Sequence, residues 1–181
     1  MDRYPIASPE VLARAQSVRL MIFDVDGVLT DGSLHYGPEG EVIKTFNVLD
    51  GLGIKLLQRA GIATAIISAR SSQNVARRAM DLDIPHLYQG VHDKSAAFAG
   101  LLQQLDLAAD SAGFIGDDII DLPILSRVGF AASVPNGHIE VRSRVHYVTT
   151  AAAGKGAARE VCDLILRAQG RHEDTLAAYL A

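Results

Sequence analysis

A chain of 181 residues, 49% of them apolar and with a net charge of −4, can bury a full core in a single domain without disulfides. Its 17 basic and 21 acidic residues are interspersed, so no block of Lys and Arg is offered to nucleic-acid phosphates, and no apolar run nears the ~20 residues that span a bilayer. The only cysteine, Cys162, lies in an apolar-periodic stretch, and Met1 to Pro5 show no charged-then-apolar signal pattern; a cytoplasmic protein with a small soluble substrate is expected.

Ser8-Pro9-Glu10 predicts a helix over 9–17, with Pro9 in the first turn where its missing N–H costs nothing. Arg19 to Phe23 is a nearly continuous apolar run, the pattern of a strand covered on both faces, and it stops at Asp24. Ser33 to Tyr36 and Glu41 to Phe46 flank the turn sequence Gly37-Pro38-Glu39-Gly40, which predicts a β-hairpin over about 33–46. Asp50 is positioned to cap a helix over 51–60, Ser71 one over 72–82, and Asp93 one over 94–105. Between them Ile62 to Ile67 forms a strand ending at Ser68, and Ala112 to Gly116 one ending at Asp117 and Asp118. Strands near 130–133 and 145–148 and a helix from about 156 to 169, followed by a tail to 181, complete the chain.

Strand and helix alternate, which predicts an α/β fold: a Rossmann-like parallel sheet with helices on both faces, whose ligands bind beyond the carboxyl ends of the strands. Asp24, Ser68 and Asp117 would then meet at one edge. The hairpin follows the first carboxylates and is too short to be a covering domain, so the site is either open or closed by another subunit.

Two carboxylates, Asp24 and Asp26, at the end of a buried strand raise each other's pKa unless a cation neutralises them. Mg2+ suits an oxygen-only set and also binds phosphate, with Asp24, a main-chain carbonyl near Asp26, and Asp117 as its protein ligands. Phosphoryl transfer would employ every one of these groups. Asp24 attacks phosphorus, Asp26 protonates the leaving alcohol and later deprotonates water, and Ser68 and Lys94 clamp the transferring group. Taken singly, each segment also fits a blander reading: Asp-x-Asp-Gly as a turn, Ser68 as a cap, Lys94 as a solvated helix residue, and Gly116 to Asp121 as a helix start. Their order and their places at strand ends favour the joint reading. The six histidines show no metal-ligand spacing, and Gly51-Leu52-Gly53 lacks the third glycine of a dinucleotide fingerprint.

These residues resemble the haloacid dehalogenase superfamily. Asp24 to Val28 match its first motif, Ser68 its second, Lys94 its third and Gly116 to Asp121 its fourth, which brings in Asp118 and Asp121 as supporting residues. The second aspartate, Asp26, implies the phosphatase branch and an aspartyl-phosphate intermediate. From about Ser8 to Gly170 the chain is similar to the capless sugar-acid phosphatases of lipopolysaccharide sugar synthesis. Asp24 to Gly32, Phe46 to Gly51, His86 to Gly90, Gly116 to Asp121 and Gly154 to Asp163 carry that closer likeness. It implies 3-deoxy-D-manno-octulosonate 8-phosphate as substrate, a homotetramer joined by the hairpins, and a neighbour's carboxyl-terminal segment enclosing the substrate. It also implies a sugar pocket lined by Thr30, Asp31, Gly32, Arg70 and Arg78. A nonulosonate 9-phosphate substrate and a non-catalytic tetramerisation module are the alternatives. Leu49 stands where the family often has arginine, with Lys55 and Lys155 expected to keep positive charge nearby; Ala69 and Ala153 replace family glycines.

Overall fold

The structure is a computed structural model that describes residues 7–180; the opening Met1 to Pro5 lie outside the described residues. Helix α1 (Pro9–Gln16) opens on Ser8, whose side chain accepts from the Val11 N–H at 3.3 Å. Six strands, β1 (Leu20–Phe23), β4 (Ala63–Ile67), β5 (His86–Tyr88), β6 (Ala112–Ile115), β7 (Phe130–Ser133) and β8 (Tyr147–Val148), form a wholly parallel sheet in the order β5-β4-β1-β6-β7-β8. The chain leaves β1 toward β4 and β5, then crosses back to β6 on the other side. β1 therefore sits where the strand order reverses, the place at which such sheets open a crevice.

Alternation along the strands divides the core in two. Met21 and Phe23 face a cluster that includes Ile54 and Leu57 of α2 (Val48–Arg59), Val75 of α3 (Gln73–Asp81), and Val161 and Ile165 of α7 (Ala157–Ala168). Leu20 and Ile22 face Phe98 and Leu101 of α4 (Lys94–Leu105), Ile124 of α5 (Leu122–Leu125) and Val141 of α6 (Ile139–Arg142). Both faces are thus covered, which is why Leu20 to Phe23 read as an unbroken apolar run. The hairpin is present as β2 (His35–Gly37) and β3 (Gly40–Ile43), an antiparallel pair apart from the main sheet.

Several local expectations shift. Helix α2 begins at Val48, and its cap is Asn47, which accepts from the Leu49 N–H at 2.8 Å; Asp50 is buried inside the first turn. Asp50 instead accepts from the Arg159 N–H at 2.8 Å, at the amino end of α7, whose own cap position is Gly156 and has no side chain to offer. Ser72, not Ser71, precedes α3, and it makes no side-chain cap bond. β5 was not expected, because three half-buried residues are too short to show a period. The segment after Gly170 is helix α8 (His172–Leu180), tied to its own protomer by a 2.6 Å hydrogen bond from Arg59 Nη1 to the Tyr179 hydroxyl. Arg59 ends α2, so α8 lies at the edge opposite Asp24. No described helix is long and apolar enough to cross a membrane.

Candidate active site

Register sets the site. Phe23 is level with Ile66 of β4 and Ile115 of β6, so the next residues, Asp24, Ile67-Ser68 and Gly116-Asp117, emerge together at the carboxyl edge. Asp24 is 5% exposed and its N–H donates to the Ile115 carbonyl at 3.1 Å, fixing the start of the loop to the sheet. Lys94, the first residue of α4, is also buried, and its Nζ donates to Asp24 Oδ1 at 2.9 Å and to Asp121 Oδ1 at 2.6 Å. The other Asp121 oxygen accepts from the N–H groups of Asp117, at 3.0 Å, and Asp118, at 3.3 Å. Asp118 caps the short turn Ile119–Asp121 by accepting from the Ile119 N–H at 2.7 Å. Ser68 is buried at the end of β4 and accepts from the Arg70 N–H at 3.4 Å.

Carboxylate oxygens of Asp24, Asp117 and Asp121 lie within 4.8 Å of one another. Three acids face one ammonium. Burial, followed by the Asp121 charge, pushes Asp24 up to about 7 despite Lys94. Burial, Asp121 and Asp118 likewise push Asp117 up to about 7. Burial works to lower Lys94, but the two carboxylates outweigh it and hold the ammonium above its usual value. The cluster is therefore short of positive charge. Its donors are all oxygens, the set that Mg2+ prefers, and Asp121 has both of its own engaged, which leaves Asp24 and Asp117 to face a cation. Space is made by Gly27: at φ +89° it takes a conformation that side chains avoid, and a Cβ there would stand 2.1 Å from Asp117 Oδ2.

Asp26 belongs to a different group. Its Oδ1 receives Lys44 Nζ from the residue after β3, and its Oδ2 lies 3.6 Å from Arg70 Nε. Glu41 of β3 pairs with Lys44 at 3.0 Å and with Arg70 at 3.5 Å, and accepts from the Ser72 hydroxyl at 2.7 Å. Arg70 also donates to the Tyr36 hydroxyl at 2.7 Å. The carboxylate of Asp26 is thus engaged by Lys44 and Arg70 and stands outside the acid cluster of Asp24, Asp117 and Asp121. Lys44, Glu41 and Tyr36 do not stand out in the sequence; the available signal was a lysine and a glutamate three residues apart in a short strand directly after the paired aspartates.

The remaining candidates divide. Thr30 is buried, its hydroxyl donating to the Val25 carbonyl at 3.3 Å and accepting from the Gly32 N–H at 3.3 Å, so it holds the shape of the loop. Asp31 is exposed, and the Ser33 N–H, at 2.9 Å, keeps its carboxyl below the usual range. Gly154 presses on this loop: its N–H donates to the Val28 carbonyl at 2.9 Å, and a Cβ would stand 2.7 Å from the Asp31 nitrogen. Arg78 is not brought to the carboxylates. Its guanidinium donates to the Asn47 carbonyl at 3.1 Å and stacks 5.7 Å from the Phe46 ring. Lys55 is also displaced from expectation: it pairs with Asp83 before β5, at the far edge of the sheet. A cavity of about 450 Å3 between Arg59 and α8 lies at that same far edge, away from the chemistry.

A family model for haloacid dehalogenase-like hydrolases matches residues 84–161. The 3-deoxy-D-manno-octulosonate 8-phosphate phosphatase of Salmonella typhimurium is 44% identical over 171 residues, which cover 94% of this chain and 91% of that one. The chain belongs to the haloacid dehalogenase-like hydrolases, in that phosphatase family. Among solved members, the Yersinia pestis enzyme superposes with a TM-score of 0.93 at 44% identity, covering 95% of this chain and 93% of that one. The Moraxella catarrhalis phosphatase, solved in complex with a magnesium ion, a phosphate ion and a KDO molecule, superposes with a TM-score of 0.91 at 44% identity, covering 94% and 98%.

Proposed function

We propose that the chain hydrolyses 3-deoxy-D-manno-octulosonate 8-phosphate to the free sugar acid and phosphate, with Mg2+ as cofactor and Asp24 as nucleophile. One observation carries the reading: at the sheet's switch point Asp24 is held by Lys94 beside Asp117 and Asp121, in a chain whose relatives of that activity align over 94% of its length. An Asp24 oxygen attacks phosphorus, the ester P–O bond breaks, and Asp26 gives its proton to the departing 8-oxygen. Water then attacks the aspartyl-phosphate, passing its proton to Asp26 and releasing Asp24 as carboxylate. Ser68 and Lys94 hold the non-bridging oxygens as charge builds on them. Asp24, the main chain at Asp26, and Asp117 would hold Mg2+, which supplies the positive charge that the cluster lacks and that the phosphoryl group needs. Asp121 aims Lys94 and the amides of 117 and 118, and Asp118 fixes the turn that carries them.

Around the sugar, Thr30, Asp31 and Gly32 form a wall whose path Gly154 fixes from behind, and Arg70 offers a planar fork to the acid. Arg78 acts on that wall indirectly, through Asn47. The hairpin leaves Tyr36, Val42 and Ile43 more than half exposed, which supports a homotetramer joined through these strands. Cys162 is buried and free, its thiol pushed well up by burial, which fits the reducing cytoplasm.

The deciding experiment is phosphate release with and without Mg2+, comparing kcat/KM for 3-deoxy-D-manno-octulosonate 8-phosphate with a nonulosonate 9-phosphate. The octulosonate is expected to lead, and a higher kcat/KM for the nine-carbon ester would reassign the substrate. Asp24→Asn is expected to abolish turnover; a folded, metal-loaded variant at wild-type rate would remove Asp24 as nucleophile.

A further inference from the structure

The side chain of Lys44 is 1% exposed although it sits on a two-stranded hairpin that stands apart from the main sheet. A lysine ammonium withdrawn from water in so thin an element is costly unless carboxylates surround it. Two do: Asp26 Oδ1, and Glu41 Oε2 at 3.0 Å. Arg70 completes the group from the opposite side, 3.6 Å from Asp26 Oδ2 and 3.5 Å from Glu41 Oε2, while Ser72 anchors the other Glu41 oxygen. Two cations and two carboxyl groups thus form a closed square, balanced in charge once Asp26 has given up its proton. Lys44 is held tightly on one oxygen of Asp26, and Arg70 stands further from the second.

We propose that Lys44 is a positioning residue that fixes Asp26 through Oδ1 and leaves Oδ2 to carry the proton to the leaving oxygen. The inference rests on the acid–base role of Asp26 given above. It makes the hairpin part of the proton-transfer machinery: Lys44, just past the end of β3, reaches back to the first loop and sets the plane of the carboxyl group. When the ester P–O bond breaks, its electron pair goes to the leaving oxygen and the proton on Oδ2 follows. Asp26 is left as a carboxylate between Lys44 and Arg70.

A series of substituted phenyl phosphates tests this without any contribution from sugar recognition. Phenols of high acidity leave without help, whereas weakly acidic ones need the proton, so the dependence of kcat/KM on phenol acidity reports proton donation. The slope is a ratio among substrates and does not change with the fraction of folded enzyme. The wild type is expected to show a shallow slope and Asp26→Asn a steep one. Lys44→Met is expected to lose about tenfold more kcat/KM on the least acidic phenol than on the most acidic. Lys44→Arg, which keeps the charge, is expected to lie nearer the wild type. A wild-type slope in Lys44→Met overturns the proposal, as does a slope in Lys44→Arg as steep as that of Lys44→Met. If Asp26→Asn itself keeps the shallow slope, the acid role fails; a steep Asp26→Asn beside a shallow Lys44→Met removes the Lys44 assignment alone.

Discussion

Two groups of charges stand side by side above β1, and they are built on opposite plans. Around Lys94, three carboxylates share one ammonium, and Asp24 and Asp117 rise to about 7. Around Asp26, two carboxyl groups meet two cations, and the charge is balanced within the chain once Asp26 is ionised. The first group has to recruit positive charge from outside, while the second carries its own counter-charges. The contrast separates a centre suited to a cation and a phosphoryl group from one suited to holding a carboxyl group steady.

The contrast is broken most severely by Lys94→Met, which leaves Asp24 and Asp121 buried without their ammonium. A loss of about 10³ in kcat is expected, the scale at which a charge-stabilising donor acts in a water-excluded site, read by phosphate release at saturating Mg2+. Asp117→Asn is expected to raise the Mg2+ concentration for half-maximal activity about tenfold or more, whereas Glu41→Gln in the balanced group leaves that concentration unchanged; a metal titration of both variants checks the pair.

Stability against pH sharpens the same contrast. Asp24 and Asp117 stand near 7 in the fold against an ordinary 3.8, so the metal-free fold prefers them protonated. Their contribution is full below about pH 4 and is lost as the pH rises through 7. The melting temperature of chelator-treated protein should therefore fall across that window, and added Mg2+, which favours the ionised acids, should raise it more at pH 8 than at pH 5.5. The smallest effect is expected for Asp50→Ala, which removes the side chain that serves the amino end of α7; a loss of ~1–2 kcal/mol in a denaturant titration is the measure.

Strand-end chemistry was legible in the sequence because buried parallel strands read as apolar runs with abrupt polar ends. That pattern alone sets Asp24, Ser68 and Asp117 on one edge. Lys94 was read as a clamp on the transferring group and Asp121 came through the family's fourth motif, and the structure adds that they bond to each other. The balanced group was not legible. Lys44 meets Asp26, with Glu41 joined to it through Lys44 and Arg70, only because the hairpin folds back over the loop, and no periodicity in so short a pair encodes that return. Asp50 was misplaced for a related reason: as a first-turn acid it looks like a cap for its own helix, while its partner Arg159 lies more than a hundred residues away. Lys55 failed in the same way, since its place along α2 carries it to the far edge.

The contact between Gly154 and Val28 has a consequence for the order of synthesis. The loop carrying both aspartates leaves the ribosome more than a hundred residues ahead of Gly154, which latches it. Until Gly154 follows, Asp24 rides on an unlatched loop. A truncated or stalled chain that ends before α7 would carry Asp24 and Asp26 and still lack the backbone that gives them their places. Competence thus waits for residue 154, when Gly154 closes on a loop begun at residue 24.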